Sequence, residues 1–493
     1  MKFTARWQLQ IKSRPLVSLT LAFLLVIGVW SQLTPLFAAP DEPASYIRGA
    51  ALVRGELVGT DIAASQSTSY WSTYVDIPRQ FGVAQLVPWC FVGKPETPAC
   101  SLPLETLTPV EQPRTDMGRY PPVGYFASGL GSLIGATDFS VHLGRLINAA
   151  FCAFLIALGC VNILSNRRSI IVILAAVTPG VIFFSSVISS SAIEISASIC
   201  LWCSITTLLS STKISFLTFN SVAISSSLLI LARPIGAIIV ALIVGISLIA
   251  QANIKESIAR IISSWRIILA TIISLFATVA WYLKIYSYHL GERVVTDPSN
   301  PSFRQIAEQS LNDTSIKVGE SIGNFGWLDT PTPTFVVWFF IALFGVIVSR
   351  NWHQVTKANR NAVVCLALLI PFLMIFINRN TQNLLRTYGV QGRYLTPLIA
   401  GIPIIIGAVW VPLKKSARLI VCGWAVAVFA TAINVLRRYS VGIKPQNFFE
   451  MFSNPVWQPP LGVLGTMLAL AAALTVFSSI FYTIATSDFE NNR

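Results

Sequence analysis

A chain of 493 residues would accommodate two or three soluble domains, but this one is 54% hydrophobic and only 11% charged. Apolar runs of roughly twenty residues, the length that crosses ~30 Å of hydrocarbon, recur from end to end; they lack strand alternation, so they are helices, since lipid satisfies no free backbone polar group. The net charge of +14 is carried by basic residues scattered singly between these runs, which suits anionic lipid and the positive-inside bias and argues against a nucleic-acid partner.

The first apolar run, 16–38, follows Lys2, Arg6, Lys12 and Arg14 and ends near Ala38-Ala39-Pro40. It is longer than the ~7–15-residue core of a signal peptide, and we read it as an uncleaved first span. Further spans are expected at 143–164, 169–188, 193–211, 214–232, 235–251, 267–285, 334–349, 361–378, 397–413, 418–436 and 461–482, twelve with the first. Alternate loops then carry Arg167-Arg168, Lys213, Lys255 with Arg260 and Arg266, Arg350 with Lys357 and Arg360, and Lys414-Lys415 with Arg418. Glu256 is the one acid among them, so these loops are expected in the cytoplasm with both termini. The segment from Tyr120-Pro121-Pro122 to about Ala136 is short, moderately apolar and glycine-rich. Counting it as a span would put every later basic loop outside, so an interfacial or re-entrant helix is expected there. The chain, 1–493, reads as a single multi-pass membrane domain. Its outer side holds a long first loop, 39–142, with short interfacial helices, a second, 286–333, and shorter ones at 379–396 and 437–460. Long loops are usually functional, and their unequal lengths weakly disfavour a transporter built from inverted repeats.

The outer loops hold most of the residues able to do chemistry. Asp41 and Glu42, bracketed by Pro40 and Pro43, place two carboxylates at a membrane boundary on a restricted backbone. Such a group can accept a proton from a hydroxyl or hold a divalent cation against phosphate; equally, Asp41 can simply cap a helix that begins at Glu42. Arg379, Arg386 and Arg393 stand in an outer loop with no acid, where the topology bias should deplete arginine. A phosphate or anionic headgroup would account for them, as would lipid anchoring or salt bridges to the long loops. Trp327 and Phe325, with Asp329, read as interfacial anchors or as the lining of a headgroup pocket. Glu194, in a Ser-rich hairpin near membrane depth, is a functional candidate unless solvated there; Arg145 and Arg233 sit near outer span ends, where Arg145 can snorkel. Cys90 and Cys100, ten positions apart in the first loop, are either a disulfide or two free thiols. The histidines have no ligand spacing, so zinc is not expected, and there is no nucleotide-binding glycine loop or nucleophile elbow.

Pro40-Asp-Glu-Pro-Ala44 with Arg48-Gly-Ala, Tyr120-Pro-Pro, Arg145-Leu-Ile-Asn148, Phe325-Gly-Trp-Leu-Asp-Thr330 and Val390-Gln-Gly-Arg-Tyr-Leu-Thr-Pro397 resemble, in this order, domain-of-unknown-function family 2142 of bacterial membrane proteins. That family is similar in plan to the type C glycosyltransferases. The resemblance implies an all-α, type-C-like polytopic fold in the bacterial inner membrane and an outward-facing site. Its donor would be a polyprenyl-phosphate sugar and its acceptor a glycan or lipid of the envelope. It implies Asp41 as catalytic base with Glu42 assisting or binding metal, Arg386 and Arg393 on the departing phosphate, and Tyr394, Trp327, Asp329, Tyr120 and Arg145 around the substrate. It implies a divalent cation, magnesium or manganese, at Glu194, although a glutamate departs from the aspartate expected there. The other readings are a lipid-linked glycan transporter or export factor without catalysis, and a non-catalytic partner in envelope assembly.

Overall fold

A computed structural model of the chain describes residues 10–62, 71–100, 102–166, 168–211, 214–286, 301–385, 387–407, 410, 412–443 and 448–486. Arg167 and Lys213, two of the basic loop residues, lie outside these. Helices dominate. Strand is confined to two-residue pieces: an antiparallel trio, Thr60–Asp61, Thr73–Tyr74 and Arg114–Thr115, and a hairpin pairing Asn324–Phe325 with Thr330–Pro331.

Seven described helices are long and apolar enough to cross a membrane: Asp138–Ser165, Ser190–Ser210, Trp265–Tyr286, Thr334–Asn351, Lys357–Asn383, Lys414–Ser440 and Gly462–Ala485. Pro15–Trp30, Phe216–Ala232, Gly236–Ile249 and Gly392–Ile406 are shorter apolar helices on expected spans. The expected span 169–188 is broken into a 3-10 turn, Ile170–Val172, and the helices Ile173–Ala176 and Pro179–Ser185, so twelve expected spans do not become twelve unbroken helices. Proline explains the break: Pro179 has no N–H, and it holds Thr178 extended at ψ 166°. The Val177 carbonyl freed there accepts a hydrogen bond from Trp424 Nε1 at 2.6 Å.

Proline also shortens the first span. Its helix ends at Trp30 rather than Ala38, because Pro35 and Pro40 interrupt the stretch beyond it. From Ser31 to Pro40 the backbone is irregular yet almost entirely buried, which demands partners for its polar groups. Side chains from far along the chain supply them. Arg145 donates to the carbonyls of Ser31, Thr34 and Pro35 at 2.9–3.1 Å, Trp327 Nε1 to that of Phe37 at 3.1 Å, and Tyr439 Oη to that of Ala38 at 3.2 Å.

The same Arg145 grips Glu42. Its Nε and one terminal nitrogen reach the two carboxylate oxygens at 2.8 and 2.7 Å, and both side chains are fully buried. Glu42 also accepts from the backbone N–H of Ile188 at 3.0 Å. One ion pair therefore ties together the end of the first span, the first outer helix Glu42–Leu52, the helix Asp138–Ser165 and the turn before Ser190–Ser210.

The glycine-rich segment after Tyr120 forms a helix, Val123–Gly129, and a 3-10 turn, Leu130–Ile134, of seven and five residues. At 1.5–2 Å rise per residue this is well short of ~30 Å. It lies against Glu42–Leu52 with backbones touching: a Cβ on Gly49 would stand 2.9 Å from the Gly129 Cα, and one on Gly129 would collide with the Gly49 carbonyl. Only paired glycines permit that approach.

Replacing Glu42 by Gln leaves Arg145 buried without its counter-charge. Breaking a buried pair costs about 3–5 kcal/mol, so purified E42Q protein should melt well below wild type in detergent. An unchanged melting temperature would deny the pair its role.

Candidate functional site

Asp41 stands where the irregular segment becomes helix Glu42–Leu52. Its backbone is left-handed, φ 63°, and its side chain makes no capping hydrogen bond. The carboxylate turns instead to Arg393, whose terminal nitrogen donates to Oδ2 at 2.7 Å. The pair is lopsided in exposure: the Asp41 side chain is 41% accessible and that of Arg393 only 1%. Asp41 Oδ1 has no hydrogen bond among the described residues, and Arg393 Nε is buried without a partner.

Arg393 occupies this place because its helix starts early. Lys357–Leu385 runs past the expected span end, and the next helix begins at Gly392, not 397. The Gly392 N–H is met by Glu320 Oε2 at 3.1 Å. Arg393 and Tyr394 thus fall in a first helical turn rather than in a loop. Tyr394 lies between two guanidinium groups, with Arg393 5.2 Å and Arg233 4.9 Å from its ring centre. Arg233 in turn pairs with Glu194 at 2.9 Å, both largely buried. A continuous network, Asp41–Arg393–Tyr394–Arg233–Glu194, joins the first outer helix to Ser190–Ser210, to the turn after Phe216–Ala232 and to Gly392–Ile399.

Aromatic rings wall it. Tyr120 packs against Trp71 and Tyr286 with ring centres 5.5 and 5.6 Å away, and burial raises its phenol well above the ordinary value. The Tyr120 carbonyl accepts from Arg48 at 3.0 Å, while Arg48 Nε and its other terminal nitrogen are buried without partners. Burial pushes that guanidinium down to about 10.

One cavity is lined by Asp41, and a second begins one helical turn beyond Arg393. The first, about 300 Å³, is lined by Asp41, Gln85, Trp89, Arg114, Asp116 and Trp327. The other, about 230 Å³ and nearly all apolar, is lined by Thr178, Ile322, Phe340, Ile370, Thr396 and Ile399. Thr396 is one helical turn beyond Arg393, on the same side of the helix.

The other sequence candidates divide. Trp327 lines the first cavity while anchoring the Phe37 carbonyl. Glu42 and Arg145 are spent on each other and have no atom at either cavity. Asp329 pairs with the fully buried Arg438 at 2.9 Å, and Arg438 also donates to the Phe91 carbonyl at 2.8 Å, next to the Cys90–Cys100 disulfide, whose Cα atoms are 6.3 Å apart. That set docks the disulfide-closed loop on the helix Lys414–Ser440. Glu194 is buried rather than a solvated hairpin tip, its carboxylate is held by Arg233, and no trio of His, Cys, Asp or Glu converges among the described residues. Arg386 lies outside the described residues.

Arg233, Arg48 and Arg438 carry more of this region than the sequence alone suggests. For Arg233 and Arg438 a signal exists in the chain: each stands at the end of a span expected on the outer side, where the topology bias disfavours arginine. The fold and site define a multi-pass membrane protein with a buried ion-paired network beside two cavities. The chain belongs to the family described as "Predicted membrane protein (DUF2142)", whose profile matches residues 23–402. A comparison with curated proteins finds no match. Among solved structures, two of ArnT from Cupriavidus metallidurans are similar. The one bound to undecaprenyl phosphate has a TM-score of 0.47 at 10% identity, and the apo form 0.45 at 12%; each comparison covers 95% of this chain and 76% of ArnT.

Asp41→Asn should lower the melting temperature clearly less than E42Q does, because the Asp41 carboxylate is 41% accessible and the asparagine oxygen can still accept from the buried Arg393. A collapse as deep as that of E42Q would make Asp41 a structural residue.

Proposed function

We propose that this protein is a type C glycosyltransferase of the bacterial inner membrane, with both termini in the cytoplasm. It moves a sugar from a polyprenyl-phosphate donor to an envelope glycan or lipid on the outer face. The observation that carries the proposal is a half-exposed carboxylate, Asp41, bound to a buried arginine one helical turn from an apolar groove. A lipid phosphate needs both halves of that arrangement: a cation for its headgroup and hydrocarbon-lined space for its chain.

In the proposed reaction the acceptor hydroxyl enters the cavity lined by Trp89 and Trp327. Its oxygen bonds to the anomeric carbon as the bond from that carbon to the lipid phosphate breaks. Asp41 takes the hydroxyl proton through Oδ1, the oxygen that Arg393 leaves free. The phosphate leaves with the bonding electron pair. Arg393 and Arg233, themselves largely buried and held by Asp41 and Glu194, stabilise the charge that grows on it, and preorganised donors do this without reorganisation. Arg386 is assigned to the same phosphate on the resemblance alone. A single displacement of this kind inverts the anomeric centre. Glu42, Arg145 and Asp329 hold the site together rather than touch substrate, and Glu194 fixes Arg233 in place of a metal, so the reaction is proposed to run without one.

The test is turnover in membranes given a labelled polyprenyl-phosphate sugar. Asp41→Asn should lower transfer by about 10²–10⁴, the usual share of a general base, and Arg393→Gln by about 10²–10³, while chelators leave the rate unchanged. Equal transfer by wild type and Asp41→Asn would remove the base. Headgroup translocation without sugar transfer, intact in Asp41→Asn, would establish a transporter instead. For sidedness, a fluorescent protein fused after Arg493 should fluoresce and a periplasm-dependent phosphatase there should be inactive; the reverse pattern would invert the topology.

A further inference from the structure

The face opposite Asp41 carries a second polar cavity, of about 400 Å³, within the range of about 300–1,000 Å³ typical of ligand pockets. It lies where Asp138–Ser165, Ser190–Ser210 and Gly236–Ile249 end and Lys357–Leu385 begins. Glu194 and Ser210, at opposite ends of one helix, are about 24 Å apart at 1.5 Å per residue, so this cavity is separate from the outer network.

Three of its lining residues are unusual. Arg168 is partly buried, and its guanidinium makes no hydrogen bond or ion pair among the described residues. Burial alone pushes it below the ordinary arginine value. Ser247 is 2% exposed, and its hydroxyl is buried with no partner. Arg260 also lines the cavity, donating to the Ser211 carbonyl at 2.8 Å and to Glu256 at 2.8 Å. With Glu256 the only acid in the lining, Arg168 leaves one positive charge uncompensated. A topology-setting arginine needs only to face water; it has no reason to be half-buried in a polar cavity beside an unpartnered hydroxyl.

The helix that brings Glu256 and Arg260, Ile254–Ile262, shows which side the ligand comes from. Its other face exposes Ile254, Ile258 and Ile262 at 47, 40 and 59%, and Trp265 follows at 64%. An amphipathic helix with bare isoleucines, followed by an exposed tryptophan, lies in the membrane interface. The cavity therefore sits at headgroup level.

We infer that this cavity binds a phosphate-bearing anion, as the headgroup of an anionic lipid of that leaflet or as a soluble phosphate, with Arg168 as counter-charge and Ser247 as hydrogen-bond donor. The site is independent of the outer chemistry and stands whether or not that reading does.

The test is binding by the purified full chain in detergent, titrated in separate arms with short-chain phosphatidylglycerol, short-chain phosphatidylcholine and inorganic phosphate. Phosphatidylglycerol should saturate, bind about tenfold more weakly to Arg168→Gln, several-fold more weakly to Ser247→Ala, and nearly normally to Arg168→Lys and Arg393→Gln. Phosphatidylcholine should not compete. If inorganic phosphate alone reproduces the dependence on Arg168, the ligand is a soluble phosphate and the site stands. Absence of saturable binding in every arm would overturn the inference. So would phosphatidylglycerol binding unchanged in both Arg168→Gln and Ser247→Ala, or phosphatidylcholine binding as tightly.

Discussion

The Glu42–Arg145 pair holds the face that carries Asp41 in register. Two charges of opposite sign are removed from water there, at a desolvation cost that only good geometry and extra hydrogen bonds offset. Both are present: a two-point contact, three backbone carbonyls on the arginine and a backbone N–H on the glutamate. Because the irregular stretch before Asp41 has no helix of its own to satisfy its carbonyls, Arg145 supplies the order that hydrogen-bond periodicity would otherwise give. Asp41, next to Glu42, inherits its position. One carboxylate of the adjacent pair is committed to architecture, which leaves its neighbour half-exposed and available.

The same device recurs around the side that carries Asp41. Arg233 with Glu194, Arg393 with Asp41 and Arg438 with Asp329 each join segments distant in sequence by a guanidinium that is nearly or wholly buried. On the expected topology the positive-inside bias works against arginine on this side, and in the structure each has an ion-paired partner. Arginine suits such a joint because its planar fork is always charged and reaches several oxygens at once. Of these three pairs only Asp41–Arg393 leaves its acid substantially accessible; Arg119 with Asp61 does so too, and what sets Asp41 apart as a candidate site is that its carboxylate also lines a cavity.

Much of this was legible in the chain. Composition and the spacing of apolar runs gave the helical membrane architecture, and the glycine-rich segment after Tyr120, expected as a short helix, forms the helix Val123–Gly129 and the turn Leu130–Ile134. The breaks at Pro35 and Pro179 were less legible, because the surrounding residues are as apolar as any span and hydropathy does not register a missing N–H. Asp41 and Arg393 were both marked as candidates, but nothing in the sequence says that residues 352 positions apart meet. Nor does it say that Glu42, the twin of Asp41, turns the other way. That division follows from the left-handed backbone of Asp41, a tertiary outcome that prolines on either side permit without specifying.

The central claim is that Arg393 and the groove beyond it are one lipid-phosphate site. It is met most directly by a structure of the protein in lipid nanodiscs with a polyprenyl phosphate added. The phosphate is expected within hydrogen-bonding distance of Arg393 and Arg233, beside Asp41, with the chain running past Thr396 and Ile399. Added polyprenyl phosphate that leaves Arg393 unoccupied, with Asp41 and Arg393 still closed on each other, would contradict it.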